Sequence, residues 1–337
     1  MSFTRRSTLA LLASVPFVAS SDAQAAPIRV GFVPVIGAAS LFVVDGAGWA
    51  KSAGLALSMT KFDSGPAAVQ AFASGTFDAL FIGVAPVAVA RAKGLDASVI
   101  AAAGSGGSSF IATPELAARF DAHGKAPAAA LAAFRKETGR RAKLATLPPG
   151  GVPNVTLNHW LFETGKTDRA DVELAFIGIE AIQQAMLAGA IDGATVLEPA
   201  ATIVQMRNPA LKRVVDALDM FPEIPGVVLA ISRRFIAARR SAAVDLVRLH
   251  ARATMLILEK PEEAAPHVAA VLGGGLVEPA VMARAMRSKA IAFVADPRAI
   301  VEPTKRMLAY QASLGDFPQA PPTDGLFDLS LWDEAKA

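Results

Sequence analysis

The chain contains no cysteine, and that absence closes several chemistries at once. Disulfide cross-links, thiolate metal sites, a cysteine nucleophile and a lipid carried on an amino-terminal cysteine are all excluded. Histidine is nearly as scarce. His123, His159, His250 and His267 are scattered with no i,i+4 or HExxH spacing, so no metal site is expected. With one Tyr, three Trp and like-charge runs no longer than pairs such as Arg140-Arg141, Arg233-Arg234 and Arg239-Arg240, nothing resembles a nucleic-acid motif. The isoelectric point near 9.3 comes from 33 Lys+Arg against 30 Asp+Glu, dispersed without a basic stripe, so nucleic acid is not an expected partner. Beyond the first twenty residues there is also no run of 18 apolar residues, the length a membrane-spanning helix requires.

What is present indicates a large core. Across 337 residues, 53% are hydrophobic and 19% charged, enough for two modest lobes and too apolar for disorder. The amino terminus carries Arg5 and Arg6, an uninterrupted apolar run from Leu9 to Ala13, more apolar residues to Ala19, and the small-residue site Ala23-Gln24-Ala25. That segment is too short for a permanent span and runs directly into the A-x-A site. Residues 1–25 therefore read as a secretory signal peptide, cleaved after Ala25. Thr4-Arg5-Arg6-Ser7-Thr8-Leu9 also resembles a twin-arginine signal, so the twin-arginine and general secretory routes both stay open. The processed chain is expected in the periplasm, soluble, unanchored and monomeric.

The stretch from Lys61 to Gly94 organises the remainder, because two strand-to-helix corners stand close together in it. Asp63 and Ser64 can cap a helix that Gly65 and Pro66 open and that runs through Phe72. The turn Ser74-Gly75-Thr76 leads to the apolar run Ala79–Ile82, which stops at Gly83 and resumes as a helix around Pro86. Ile28–Val33 ending in Pro34, with a helix starting near Gly37–Ser40 and running from Leu41 to Lys51, makes a third corner. A fourth comes after the strand Ala142–Leu147, where Pro148-Pro149-Gly150-Gly151-Val152-Pro153-Asn154 enters a helix. In an open α/β sheet such corners lie at the carboxyl ends of strands, where helix N–H groups can receive a ligand. A single Gly-Pro corner is ordinary punctuation; the repetition points to a binding cleft.

The alternation divides the chain into lobe 1 (26–108), lobe 2 (109–226), a return to lobe 1 with carboxyl-terminal helices (227–320) and a surface tail (321–337). The expected class is α/β, each lobe a mostly parallel sheet covered by helices with the cleft between them. Gly104-Ser105-Gly106-Gly107-Ser108-Ser109 fits either a hinge crossing between lobes or a plain loop. The turn Phe221–Gly226 leads to the apolar run Val227–Ile231, which suits a crossing back.

Several pieces, in order, resemble the extracytoplasmic substrate-binding proteins of ABC importers, of the nitrate, sulfonate and taurine type that also includes thiamine-precursor binders. They are Gly31-Phe32-Val33-Pro34 with Ala39–Val43, Gly48–Leu55, Ser64-Gly65-Pro66, Ser74–Asp78, Gly83-Val84-Ala85-Pro86, Leu147–Pro153 and Leu197-Glu198-Pro199. The resemblance spans both lobes. It implies the type II periplasmic-binding-protein fold, two lobes closing on a small molecule, and a membrane permease and an ATPase as partners, with no cofactor. Members often carry Ser where this chain has Gly151, and a polar residue such as Asp where it has Val84. Those departures favour an organic ligand, such as a sulfonate, a pyrimidine or an aromatic compound, over a bare inorganic ion.

The candidate ligand-binding residues are Pro34, Ile36, Ala39, Ser40, Ser64, Gly65, Ala85, Pro86, Gly150, Gly151, Val152, Asn154 and Glu198. Gly150, Gly151 and Val152 offer backbone N–H groups to an anionic ligand. Glu198, at a strand end, either meets a donor on the ligand or caps a neighbouring helix; Ser64 and Asn154 either donate to the ligand or cap their own helices. The alternative role, a periplasmic enzyme of the same fold acting on a pyrimidine or aromatic compound, lacks a Ser/His/Asp or paired-carboxylate set at the corners.

Overall fold

A computed structural model describes residues 26–337; the expected signal peptide lies outside the described residues. The strands, in chain order, are β1 (Ile28–Phe32), β2 (Leu57–Lys61), β3 (Ala79–Gly83), β4 (Ala97–Ala102), β5 (Ser105–Gly106) and β6 (Ser108–Ala112). They continue as β7 (Ala142–Thr146), β8 (Val172–Phe176), β9 (Gly193–Leu197), β10 (Lys212–Asp216), β11 (Val227–Ser232) and β12 (Ile291–Ala292). Two five-stranded sheets result, ordered β2-β1-β3-β11-β4 and β10-β6-β9-β7-β8, joined by a small ribbon of β5 and β12.

Each sheet is parallel except for one strand, and the exception arises from how the chain passes between lobes. β1 pairs in parallel with β2 and β3, and β11 runs antiparallel to both β3 and β4. In the second sheet β7 is parallel to β8 and β9, and β6 is antiparallel to β9 and β10. The antiparallel members, β6 and β11, are the first strands after a crossing. A chain that leaves one sheet at the carboxyl end of a strand, facing the cleft, enters the other sheet from the cleft side and must run away from it.

The glycine-rich break at 104–109 is one of the two segments joining the lobes, and 221–226 is the other. They lie side by side: the Gly226 N–H donates to the Gly104 carbonyl at 2.9 Å and the Gly106 N–H to the Ile224 carbonyl at 2.9 Å. Contact at this distance excludes side chains. A Cβ on Gly226 would fall 2.8 Å from the Gly104 oxygen and 2.9 Å from that of Gly106, which is why glycine stands there.

Strand and helix formation obey the local pattern. Ala97–Ala102 is buried at every position, as an apolar run inside a helix-covered sheet should be. Ser64 accepts from the Ala67 N–H at 3.4 Å and Pro66 occupies the first turn of the helix Gly65–Ala73. The helix expected over Leu41–Lys51 is two, Ala39–Gly46 and Trp49–Ser52, because Gly48 takes a left-handed φ of 70° between them. After β11 come the helices Arg240–Glu259, Pro261–Leu272, Pro279–Met286 and Val301–Ser313. The last of these reaches the second lobe, where the Tyr310 ring stands edge-on to His159 at 5.0 Å and Arg306 pairs with Glu223.

The expected surface tail, 321–337, is not a tail. The Val99 N–H donates to the Leu326 carbonyl at 2.8 Å and the Asp328 N–H to the Val99 carbonyl at 2.9 Å, so this segment pairs with β4. A final helix, Ser330–Lys336, then buries Leu331 and Trp332. The Pro- and Asp-rich composition concealed the three apolar residues that anchor it, Leu326, Leu331 and Trp332. Trp332→Ala is expected to lower folding stability by about 3–5 kcal/mol, the usual loss for a buried aromatic, as measured by urea denaturation. An exposed tail residue would change it by less than about 0.5 kcal/mol.

Candidate functional site

The carboxyl ends of the strands in both lobes meet around one apolar cavity of about 40 Å³. The first lobe contributes Val33 and Val35 after β1, Gly65 after β2, and Gly83 and Pro86 after β3. The second contributes Leu147, Gly151, Val152 and Pro153 after β7, Ile179 after β8 and Leu197 at the end of β9. The crossing segments supply Gly106, Ser108, Gly226 and Val227. Two close approaches shape it. A Cβ on Gly83 would meet Val152 Cγ2 at 2.9 Å across the cleft, and one on Gly65 would meet Pro86 Cγ at 2.6 Å. The walls therefore touch, and the volume is that of one or two water molecules, far below the roughly 300–1,000 Å³ of a small-molecule site. Admission of a ligand requires the lobes to part.

The electrostatic character is set by backbone, not by side chains. None of the lining residues is charged, and Ser108 supplies the sole side-chain hydroxyl among them. Four helices begin at the cavity: Gly65–Ala73, Val84–Ala92, Val152–Asn158, which continues as a π-helical segment His159–Thr164, and Ile179–Leu187. The residues preceding three of them, Gly83, Gly151 and Gly178, have no side chain with which to cap. Positive helix ends thus converge on an apolar space with no acidic side chain in its lining, an arrangement suited to a hydrogen-bond acceptor or a small anionic group attached to an apolar body.

Of the residues expected from sequence, Gly65, Pro86, Gly151 and Val152 line the cavity. Pro34 is only half-buried and sits between Val33 and Val35, which do line it. Ile36 is fully buried, and its N–H donates to the Glu198 carbonyl across the lobes at 2.8 Å. Ala39 and Ala85 belong to the core. Gly150 takes a left-handed φ of 81° in the turn before Gly151. Ser64 caps its helix, and Asn154 lies buried within its own, its carbonyl accepting from Asn158 Nδ2 at 2.9 Å.

For Glu198 and Ser40 the geometry gives a different role from ligand contact. The Glu198 side chain has no exposure; Oε2 accepts from the Thr202 N–H at 3.0 Å and Oε1 from Arg213 Nη2 at 2.7 Å. It is a helix cap and the buried half of an ion pair whose Arg213 side is partly exposed. Arg213 continues to Asp216 at 3.2 Å and Ser288 at 2.9 Å, and Ser109 also donates to Asp216. Ser40 Oγ is 2.8 Å from His250 Nδ1, and His250 Nε2 is 2.6 Å from the Ala102 carbonyl. A carbonyl only accepts, so Nε2 carries the proton and Nδ1 takes the Ser40 hydroxyl hydrogen. Both polar groups are consumed inside the first lobe.

Sequence reasoning missed the neighbours of its own choices. Val33 and Val35 flank Pro34, and Leu197 precedes Glu198; each is one residue from an expected position. Ser108 lay in a segment that fits a hinge crossing or a plain loop, and Gly226 in one that reads as a turn, although a cleft floor must be made from whatever joins the lobes.

The buried groups generate two expected outcomes. Arg213→Met should cost about 3–5 kcal/mol in urea denaturation, because it strands a carboxylate that has no exposure; a loss of affinity with unchanged stability would place Glu198 at the ligand instead. Burial pushes the His250 imidazole down to about 4 from 6.5. Its folded-state pKa is depressed, so the stability it allows is full above about pH 6.5 and is lost as pH falls towards 4, by about 3 kcal/mol. Denaturation at pH 7 and pH 4.5 should show that extra loss in the wild type and not in His250→Gln.

Comparison with known proteins agrees with this architecture. The ligand-binding component of an ABC-type import system from Staphylococcus aureus, solved with zinc bound, superposes with a TM-score of 0.74 at 14% identity, over 91% of this chain and 98% of that one. The periplasmic nitrate-binding protein NrtA from Synechocystis PCC 6803 gives 0.71 at 15% identity, over 92% and 88%. The alkanesulfonate-binding protein SsuA from Xanthomonas axonopodis pv. citri, bound to MOPS, gives 0.66 at 15%, over 89% and 96%. At such identity the likeness establishes the fold, that of the periplasmic binding proteins. Among the described residues no group of three or more His, Cys, Asp or Glu could hold a metal ion. No curated protein matches the sequence. The family model described as the NMT1-like family matches residues 21–273, three quarters of the chain, and the chain belongs to that family.

Proposed function

We propose that the chain is an extracytoplasmic solute receptor that delivers a small organic ligand to an ABC importer. The observation that carries this reading is the cavity at the meeting of two lobes, charge-free in its side chains and faced by four helix starts. Nitrate- and alkanesulfonate-binding proteins and an importer component share the fold, and this supports a permease and an ATPase as partners. The apolar walls favour a ligand with a hydrocarbon or ring body, and the helix starts favour an acceptor or anionic head, as in a sulfonate, an aromatic acid or a pyrimidine. The periplasm is the compartment that fits the amino-terminal export signature; among the described residues no helix is long and apolar enough to cross a membrane. A receptor is favoured over an enzyme because no histidine or carboxylate stands beside Ser108 in the lining.

The test has two parts. Denaturing the native protein and analysing the released small molecules by mass spectrometry should yield an intact organic compound; recovery of a converted product after incubation would favour an enzyme. Gly151→Trp should then occupy the cleft and hold the lobes apart, because an indole is larger than the cavity of about 40 Å³. With that compound at about a hundred times its dissociation constant, the wild type should gain roughly 2.7 kcal/mol of stability and the variant none, each read against its own melt without the compound. An equal gain in both would move the site elsewhere.

A further inference from the structure

Both sheets place their crossing strands at one end and a different strand at the other. In the first, β11 and β4 close the order and β2 opens it; in the second, β10 and β6 open it and β8 closes it. The far lip of the cleft is therefore built from the segments after β2 and β8. Lys61 is the last residue of β2, and Glu180 is the second residue of the helix Ile179–Leu187 that comes after β8. Lys61 Nζ is 2.6 Å from Glu180 Oε1, with 51% and 60% of the two side chains exposed. Beside them the Ile179 N–H donates to the Asp63 carbonyl at 3.4 Å. Gly178 lets the two backbones come this close, since a Cβ there would stand 3.3 Å from Asp63 Cβ.

We propose that Lys61 and Glu180 are the closing contact of the cleft, positioning residues whose ion pair holds the two lips together and prolongs the closed form. The inference rests on the receptor reading above and adds the residues that govern retention. Position gives the pair its leverage. Strands lie about 4.8 Å apart, so β2 is about 19 Å from the far strand of its sheet, and a lobe rotation of about 15° would draw the lips roughly 5 Å further apart. That breaks the contact completely while the segments at the hinge barely move. The hydrogen bond that Lys61 donates to Glu180 is the first reason its ammonium is held above its ordinary pKa, with burial opposing it and the charges of Glu180 and Asp63 adding attraction. Lys61 is thus charged throughout the neutral range. An exposed pair of this kind shifts an equilibrium by up to about fivefold, enough to tune a release rate without locking the receptor shut.

The test uses the absence of native cysteine, so that Gln70→Cys and Gln184→Cys, one on each lobe and both exposed, take spin labels at two defined places. Pulsed dipolar spectroscopy on the full chain, without added ligand, reads the distribution of distances between lobes. Lys61→Glu and Glu180→Lys alone should each raise the ratio of long to short distances by at least the wild-type pair's worth, about two- to fivefold. The exchanged pair, Lys61→Glu with Glu180→Lys, should restore the wild-type distribution. Raising salt from 0.01 M to 1 M should open the wild type, because the screening length falls from about 30 Å to about 3 Å, and leave Lys61→Gln/Glu180→Gln unchanged. Unaltered distances in the single variants, or an exchanged pair as open as the singles, would overturn the latch. Neither result would touch the receptor reading, which the co-purified compound decides.

Discussion

The whole arrangement depends on one steric constraint, the side-by-side passage of two backbone segments between the lobes. Gly226 lies against the carbonyls of Gly104 and Gly106 too closely for any side chain, and hydrogen bonds lock the two segments together. The double crossing it seals sets the reversed direction of β6 and β11, leaves the carboxyl ends of the other strands of both five-stranded sheets facing the cleft, and so brings four helix starts onto one small volume. The segments also furnish part of the cavity itself through Gly106, Ser108, Gly226 and Val227. A lobe movement and a change in the shape of the site are consequently the same event.

The site achieves polarity with almost no polar side chains. Its helix ends are fixed dipoles, already oriented by the packing of the strands that lead into them, and its walls are valine, leucine, isoleucine and proline. The charged groups of the neighbourhood are used elsewhere. Glu198 and Arg213 neutralise one another behind the β9 corner, and Lys61 and Glu180 meet at the rim. Selectivity in such a site depends on the shape of the ligand and on where its acceptors fall.

Much of this was legible in the sequence because the punctuation was strong. Ser64-Gly65-Pro66, Gly83 with Pro86, and Gly150-Gly151-Val152-Pro153 each mark a strand end and a helix start by residues with one physical purpose, and four lining residues came directly from them. Less legible was anything decided by side-chain direction. Glu198 and Leu197 are adjacent in the chain, yet the pleat turns one into the core and the other to the cavity. Ser40 looked available at a helix start, and only a histidine 210 residues away explains why it is not. The final segment was misread for a different reason: its apolar anchors are few and widely spaced, so composition hid a contact that depends on three of them.

That final segment has a second consequence. β4 ends the order of the first sheet, and an uncovered terminal strand offers its backbone to any passing chain, which is the route to uncontrolled sheet growth between molecules. Here Val99 already spends both its N–H and its carbonyl on Leu326 and Asp328, and Ala102 donates to the Ala295 carbonyl at 3.0 Å. The segment 321–337 therefore serves as a sheath over a sticky margin. Undocked, that segment would leave a strand margin open to pairing with other molecules, so its docking also keeps the protein apart from its own copies.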